Sequence, residues 1–355
     1  MAIDMELKQQ ADKLIQEVQD AKTVLYDVET TGTGKNDKPV TFSAYQPSSG
    51  LSVGGKGNEI LIDYGSEIAN LAAAEKAMNL MDENGLIDSS KELRKLLLNR
   101  ADEDLAKLEK TKINLQKDAA ARASVLEAYK KKKKTVRQLF TEINKTFGKD
   151  GAEFTMVGFN NQTFDDKFMM KIAEEYANNH SEKVGKSIKN SAAKLFGQGR
   201  TKDIRNAVLK TFEAHRIKNA AFTGHTNLQD LGLLARGRKA SAAHSADDDN
   251  LTSQAVANEL AKDNNIYEKM ADAISLAMEK KGLTDFNTRG VGVSSTHYKQ
   301  LFDAIYQEMA EVVQQNVASG KEATDVDIKS IVDTYMSKAT GKTYGYRKKG
   351  SMVSA

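Results

Sequence analysis

The chain has 355 residues, a length that favours two or three domains, or one domain with large additions. Its 52 basic and 49 acidic side chains give a net charge of +3, so overall charge neither favours nor excludes a nucleic-acid partner. The absence of cysteine excludes disulfides and thiolate metal sites, and no apolar run approaches the roughly 20 residues of a membrane span. We therefore expect a soluble, cytoplasmic protein without a membrane partner.

The N-terminal part of the chain predicts one helix followed by three strands. Apolar residues at helical spacing indicate an N-terminal helix in 1–22, and β-rich apolar runs indicate strands at 23–28, 39–45 and 59–64. The stretch 48–57 is rich in Ser and Gly, which is typical of a hairpin loop. Three antiparallel strands followed by alternating helices and strands predict a mixed α/β sheet.

Residues 66–150 are highly charged and helical in pattern. Two apolar stripes with spacings of three, four or seven residues predict two long helices that pack as an antiparallel hairpin, inserted before a strand at 154–159. The second predicted helix carries five consecutive lysines, Lys130, Lys131, Lys132, Lys133 and Lys134. Such a run is most often a solvated helix face, although lysines of this kind also bind the phosphates of nucleic acids.

Beyond the strand at 154–159 the pattern is largely helical. The segment 255–260 belongs to a helical run. Apolar stripes across 263–340 predict a C-terminal helical region. The residues 341–355 are basic with interleaved tyrosines, and we expect a basic, flexible tail there.

Two acids, Asp27 and Glu29, close the first predicted strand. Because side chains in a strand alternate between its two faces, residues two positions apart point to the same side. Two carboxylates that converge in this way repel each other unless a cation lies between them. Hard oxygen ligands suit Mg²⁺ or Mn²⁺, so the pair predicts a site for a divalent cation.

Two further segments place acids at the start of predicted helices. Asp165 begins an amphipathic helix after the strand at 154–159, and Asp249 leads into the helical run that reaches residue 260. His244 lies five residues before Asp249, an advance of about 500° around an α-helix, so one regular helix cannot direct both side chains to one site. We expect Asp249 to be helical and His244 to lie on the preceding loop.

These segments resemble the DEDD exonuclease superfamily, the DnaQ-like or RNase T-like group, and within it the His-containing DEDDh branch. The family motifs are Asp-x-Glu-Thr-Thr-Gly, Asn-x-x-x-Phe-Asp, and a His followed five positions later by Asp. All three occur here in the family's order. The residues that match them are Asp27, Glu29, Thr30, Thr31, Gly32, Asn161, Phe164, Asp165, His244 and Asp249.

The resemblance implies an α/β fold with an RNase H-like mixed-sheet exonuclease core at 23–65 and 151–262. The predicted long helical-hairpin insertion at 66–150 departs from the family pattern, and the predicted α-helical C-terminal extension lies outside the resemblance. The resemblance also implies a metal-dependent 3′→5′ exonuclease with two divalent cations, Mg²⁺ or Mn²⁺, and with His244 as the general base. The implied metal ligands are Asp27, Glu29, Asp165 and Asp249. The implied substrate-binding residues are Thr30, Thr31, Gly32, Asn161 and Phe164.

Alternatives stay open for individual residues and for the function. Asp165 taken alone could be a helix N-cap. Asp247 or Asp248 could replace Asp249 as a ligand, with Asp248 the next candidate after Asp249. His225 is a competing histidine, better suited to a loop or a cap. The expected partner is the 3′ end of single-stranded DNA or RNA, with DNA favoured, and a protein partner could bind the insertion or the C-terminal helices. The rival functions are a structural or interaction protein that keeps an exonuclease-like core, and an oligoribonuclease-like enzyme.

Overall fold

The described residues of the computed structural model are 3–30, 39–55, 59–63, 133–215, 217, 225–238, 246–280 and 295–338. The chain forms two compact units. One, here called the sheet unit, consists of Ala21–Thr201 and Ala243–Asn250. The other, the helical unit, consists of Met1–Asp20, Lys202–Ala242 and Leu251–Ala355.

The described chain begins with a helix, continues with strands, and is mainly helical in its C-terminal half. The strands are β1 Thr23–Thr30, β2 Pro39–Tyr45, β3 Ser52–Val53, β4 Ile60–Asp63, β5 Lys133–Thr135, β6 Thr155–Gly158 and β7 Lys202–Asp203. The α-helices are α1 Met5–Gln19, α2 Val136–Phe147, α3 Asp165–Asn178, α4 Glu182–Phe196, α5 Ile204–Ala214, α6 Leu228–Arg236, α7 Ala246–Leu260, α8 Ile266–Lys280, α9 Ser295–Ala318 and α10 Ile328–Lys338. None of these described helices is both long and apolar enough to cross a membrane.

The sheet unit is built on a mixed sheet. Its strands lie in the order β5-β4-β2-β1-β6, and β3 also pairs with β2. The pairs β1–β2, β2–β3 and β2–β4 are antiparallel, whereas β1–β6 and β4–β5 are parallel. The predicted mixed α/β sheet, with three early antiparallel strands, is thereby confirmed.

One face of β1 forms part of the hydrophobic core of the sheet unit. Val24, Tyr26 and Val28 alternate along the strand and are buried, as a period of two requires. They pack in one cluster with apolar residues of α2, α3 and α4. Each large side chain buried in this way contributes roughly 1.5–3 kcal/mol. This face therefore fixes the position of β1 and, with it, the residues on the opposite face.

Helix α2 shows how the local sequence begins an element of this core. The Thr135 hydroxyl oxygen accepts a hydrogen bond from the Gln138 backbone N–H at 3.3 Å. The Gln138 side chain accepts in return from the Thr135 N–H at 2.9 Å, which completes a capping box. The apolar stripe predicted from the sequence is buried at Val136, Leu139 and Ile143.

The predicted helical hairpin is wrong at its C-terminal end. Lys133 and Lys134 lie in β5, which pairs in parallel with β4 and places Leu61 opposite Lys133. A strand at this point cannot be part of a long helix that runs through the lysines. The predicted insertion, 66–150, therefore includes sheet and core elements from residue 133 onward, while 66–132 lies outside the described residues.

The two units also divide the chain differently from the predicted core at 151–262. Residues 202–242 and 251–262 belong to the helical unit, together with the N-terminal and C-terminal helices. Within this unit α1 packs on α5, and α8 packs on α10. The apolar faces of these helices are covered by one another, which explains why they form a unit of their own. The predicted tail at 341–355 lies outside the described residues.

Candidate metal centre

Asp27 and Glu29 lie on the face of β1 opposite Tyr26 and the hydrophobic core. They occupy alternate positions, paired with Ser43 and Thr41 of the antiparallel neighbour β2. Both acids are half-buried, and the pairing shifts register directly after Glu29. A β-bulge at the end of a strand redirects the side chains around it, and such bulges are common beside active sites.

The first turn of α7 adds a third carboxylate to this face. Asp27, Glu29 and Asp249 each offer a carboxylate oxygen that lies within 4.8 Å of the other two. One oxygen of Glu29 and one of Asp249 are out of contact with solvent. The structure thus brings together acids of the first and third motifs, and Asp249 is helical, as predicted. Asp248, the alternative ligand, is not part of this group.

Three like charges at this separation are costly without a counter-charge. Two unit charges 4 Å apart repel by about 4 kcal/mol where the effective dielectric constant is near 20. A divalent cation between the carboxylates offsets this repulsion. Carboxylate oxygens are the ligands that suit Mg²⁺ and Mn²⁺, so the donor set fits the predicted cations.

Asp165 lies outside this group of three. It is the first residue of α3, and only 3 % of its surface is exposed. The N-cap of the helix is Phe164, so Asp165 is not the capping residue that its sequence context allowed. Burial, the charge of Asp166 and then that of Asp165 raise the pKa of Tyr26 well above its usual value, so the Asp165 charge acts on the core face of β1.

A buried polar network ties α3 to the core face of β1. Tyr26 donates its hydroxyl hydrogen to Asp166 Oδ1, and the Thr201 hydroxyl donates to Asp166 Oδ2 at 2.6 Å. Asn161 Nδ2 donates to the Tyr26 hydroxyl oxygen at 3.1 Å. No local spacing in the sequence links these residues, and the one signal that could have indicated the network is the pair of consecutive acids Asp165-Asp166 at a helix start.

Two of the expected substrate residues have other contacts. Asn161 is fully buried and belongs to the polar network on the core face of β1. Its position therefore fits a structural role better than the substrate contact expected from the motif. Phe164 is half-buried, and its ring meets that of Phe168 edge-on with centroids 4.9 Å apart. Thr30 ends β1 and is half-buried.

Other predicted site residues lie outside the described part of the chain. They are Thr31, Gly32, Lys130, Lys131, Lys132 and His244. Lys134 is described, and it forms an ion pair with Glu142 of α2 in which both side chains are about a third exposed. Its charge is therefore partly compensated within the protein.

His225 belongs to a different cluster, inside the helical unit. Its Nδ1 lies 2.9 Å from Asp230 Oδ2, its Nε2 lies 2.8 Å from Asp303 Oδ1, and its ring stacks on Tyr306 with centroids 4.0 Å apart. Burial alone would lower the pKa of His225, but the hydrogen bonds and charges of Asp230 and Asp303 outweigh it and raise the pKa. Both ring nitrogens are engaged, which favours a structural role for this histidine.

Comparisons of the chain with models of known protein families, with curated proteins and with solved structures find no match.

Proposed function

We propose that the protein is a metal-dependent 3′→5′ exonuclease with an RNase H-like core. The observation that supports this most is the convergence of Asp27, Glu29 and Asp249. These acids come from distant parts of the chain and belong to two motifs of the DEDDh resemblance. A solvated strand end would give no reason for a helix to bring a third carboxylate to the same face.

Asp27, Glu29 and Asp249 would hold the cation, Mg²⁺ or Mn²⁺, and the motif resemblance adds Asp165 beside a second one. When bound, such a cation supplies positive charge that lowers the pKa of a water molecule and stabilises negative charge on a phosphoryl oxygen. The partial burial of the acids keeps water away from part of the site and strengthens their attraction for the cation.

The remaining roles belong to residues of the chain itself. His244 takes the proton from the attacking water, since an imidazole titrates near neutral pH and is suited to a general base. The water oxygen then bonds to the phosphorus of the last phosphodiester, and the bond from that phosphorus to the 3′ oxygen of the preceding nucleotide breaks. The 3′ oxygen takes a proton from solvent to become the new 3′ hydroxyl, and a 5′-mononucleotide leaves. Thr30, Thr31 and Gly32 lie against the 3′-terminal nucleotide in this proposal. Single-stranded DNA is the favoured substrate, and RNA is the alternative.

A degradation assay tests the proposal. Single-stranded DNA, long RNA and short RNA, each labelled at the 3′ or the 5′ end, are incubated with the protein in Mn²⁺, Mg²⁺ or EDTA. We expect early release of mononucleotides from the 3′ label only, and none in EDTA. Asp27→Asn should abolish release, whereas Asp63→Asn, at the end of β4 in the same sheet, should not. No release of nucleotides, or release that survives EDTA, would contradict the proposal.

A further inference from the structure

The first turn of α7 is fastened to the sheet next to Asp249. Asn250 is only 1 % exposed, and its Nδ2 donates to the Ser43 carbonyl oxygen at 3.1 Å. Ser43 lies directly opposite Asp27 in the pairing of β1 with β2. This hydrogen bond therefore joins the residue that follows one acid of the cluster to the strand partner of another.

A second contact holds the beginning of the same turn. The Asp247 backbone N–H donates to Glu59 Oε1 at 3.3 Å, and Glu59 is buried immediately before β4. A carboxylate at a helix N-terminus accepts one of the N–H groups that the helix cannot satisfy, and it interacts favourably with the helix dipole. Asp249 therefore lies between two anchored residues within one helical turn.

The surroundings of Asn250 are more polar than stability alone requires. Asn250 Oδ1 and Ser43 Oγ are both buried, and neither has a hydrogen-bonding partner among the described residues. A buried polar atom without a hydrogen bond costs free energy, which offsets much of what the one hydrogen bond of the Asn250 amide contributes to stability. Local costs of this kind are expected where a residue serves function.

We propose that Asn250 is a positioning residue of the cation site, with Glu59 as the second anchor. The inference rests on the proposed function, because the position of Asp249 matters only if it shares a cation with Asp27 and Glu29. Asn250 itself does not contact the cation. It holds the first turn of α7 on β2, so that the Asp249 carboxylate stays close to Asp27.

Titration of the full chain with Mn²⁺ in a calorimeter tests this, with folding checked by circular dichroism without metal. Asn250→Leu keeps the branching of the side chain at Cγ, with a larger volume, and removes the amide donor. We expect it to melt cooperatively and to bind Mn²⁺ about 10- to 100-fold more weakly, as is typical when a residue that orients a metal ligand is lost. Ser43→Ala is the matched control, because it removes the adjacent buried hydroxyl and leaves the carbonyl oxygen; its Mn²⁺ affinity should equal that of the wild type.

Glu59→Ala removes the other anchor and should weaken Mn²⁺ binding in the same direction, and it decides the question if Asn250→Leu does not fold. Equal Mn²⁺ affinity in the wild type and in the folded anchor variant overturns the inference and leaves the proposed function standing. A wild-type chain that binds no Mn²⁺ overturns the proposed function and the inference together, so the two failures are distinguishable.

Discussion

The two faces of β1 carry opposite kinds of polar chemistry. On the core face, Tyr26 meets Asp166 in a buried network in which hydroxyl donors face carboxylate acceptors. On the other face, Asp27 and Glu29 meet Asp249, and all three groups are carboxyl groups. Adjacent residues of one strand thus enter one arrangement that stabilises the fold and another that gathers carboxylates, as the proposed cation site requires.

This difference indicates how one strand serves stability and function at once. A buried network with matched donors and acceptors makes the relative position of β1 and α3 well defined. On such a rigid frame, like charges can be held together at a cost that the rest of the core tolerates. Variants on the two faces should therefore change different properties. Those on the acidic face should mainly change activity, and those on the core face should mainly change the free energy of unfolding.

Asp27→Asn should have the largest effect on activity. It removes one of the three carboxylates proposed to hold the cation, so the proposed nuclease activity should fall by at least about 10³-fold. That is more than the 10- to 100-fold loss typical of residues that only orient a metal ligand. Without metal, the free energy of unfolding should be unchanged or about 1 kcal/mol higher, because repulsion is relieved. Label release and urea denaturation in EDTA measure the two quantities. Substantial turnover in this variant would exclude Asp27 as a ligand.

His244→Ala should reduce turnover by about 10²- to 10⁴-fold, the usual contribution of a general base. Because His244 is assigned to the water and not to the cation, the Mn²⁺ affinity should stay at the wild-type value. Single-turnover rates at neutral pH and Mn²⁺ titration separate the two effects. A variant that cleaves as fast as the parent would remove His244 from the mechanism.

Tyr26→Phe should affect stability most among the core-face variants. Asp166 loses a donor and the Asn161 amide loses its acceptor, so the free energy of unfolding should fall by about 1–3 kcal/mol. Tyr45→Phe, which removes the hydroxyl of a half-buried tyrosine on β2, is the control and should cost less. Urea denaturation measures both. Equal losses in the two variants would show that the network adds no stability of its own.

The cluster around His225 is a third arrangement of polar groups. In it, two carboxylates, those of Asp230 and Asp303, both contact the ring nitrogens of one histidine. Asp230 and Asp303 raise the pKa of His225, and Tyr306 has its own pKa raised, first by burial and then by Asp230, so it stays protonated. A histidine whose pKa is raised in the folded state stabilises the protein. This stabilisation is complete at pH values below the ordinary histidine pKa near 6.5, and it is lost as the pH rises through the pKa of the folded state.

His225→Gln should therefore cost about 1.5 kcal/mol of unfolding free energy at pH 6, the scale of a charge-assisted hydrogen bond, and less at pH 9. Urea denaturation of both proteins across this range measures the difference. A difference that grows with pH would mean that the wild-type imidazole is neutral in the fold.

Lys134→Gln should have the smallest effect. Its ion pair with Glu142 is partly exposed, so the free energy of unfolding should change by no more than about 0.5 kcal/mol. Because Glu142 compensates the charge, oligonucleotide affinity and its dependence on salt should be unchanged. Fluorescence anisotropy across a salt series checks this. A shallower salt dependence in the variant would instead assign Lys134 a phosphate contact.

The strands and helices that local patterns specify were predictable from the sequence. The period of two along a strand places the two acids of β1 on one face, and the helical spacing of Val136, Leu139 and Ile143 predicts α2. Strand β5 was not predictable, because its lysines resemble a helix face and owe their strand conformation to pairing with β4, far away in the chain. Long-range pairing of this kind leaves no periodic signal.

The same limit applies to the site. The period of two along a strand places Asp27 and Glu29 on one face. Only the order of the three motifs along the chain linked these acids to Asp249. The contacts of Asn250 with Ser43 and of Tyr26 with Asp166 depend on how distant segments pack, so neither could be read from local spacing.

The most direct test of the cation site compares two neighbouring acids of α7. Asp249 belongs to the cluster and Asp248 does not, although both are half-buried residues of the same helical turn. Calorimetric titration with Mn²⁺ should show tight binding by the wild type and by Asp248→Asn, and binding at least about 100-fold weaker by Asp249→Asn. Equal affinities in the two variants, or no binding by the wild type, would contradict the assignment of Asp27, Glu29 and Asp249 to one cation.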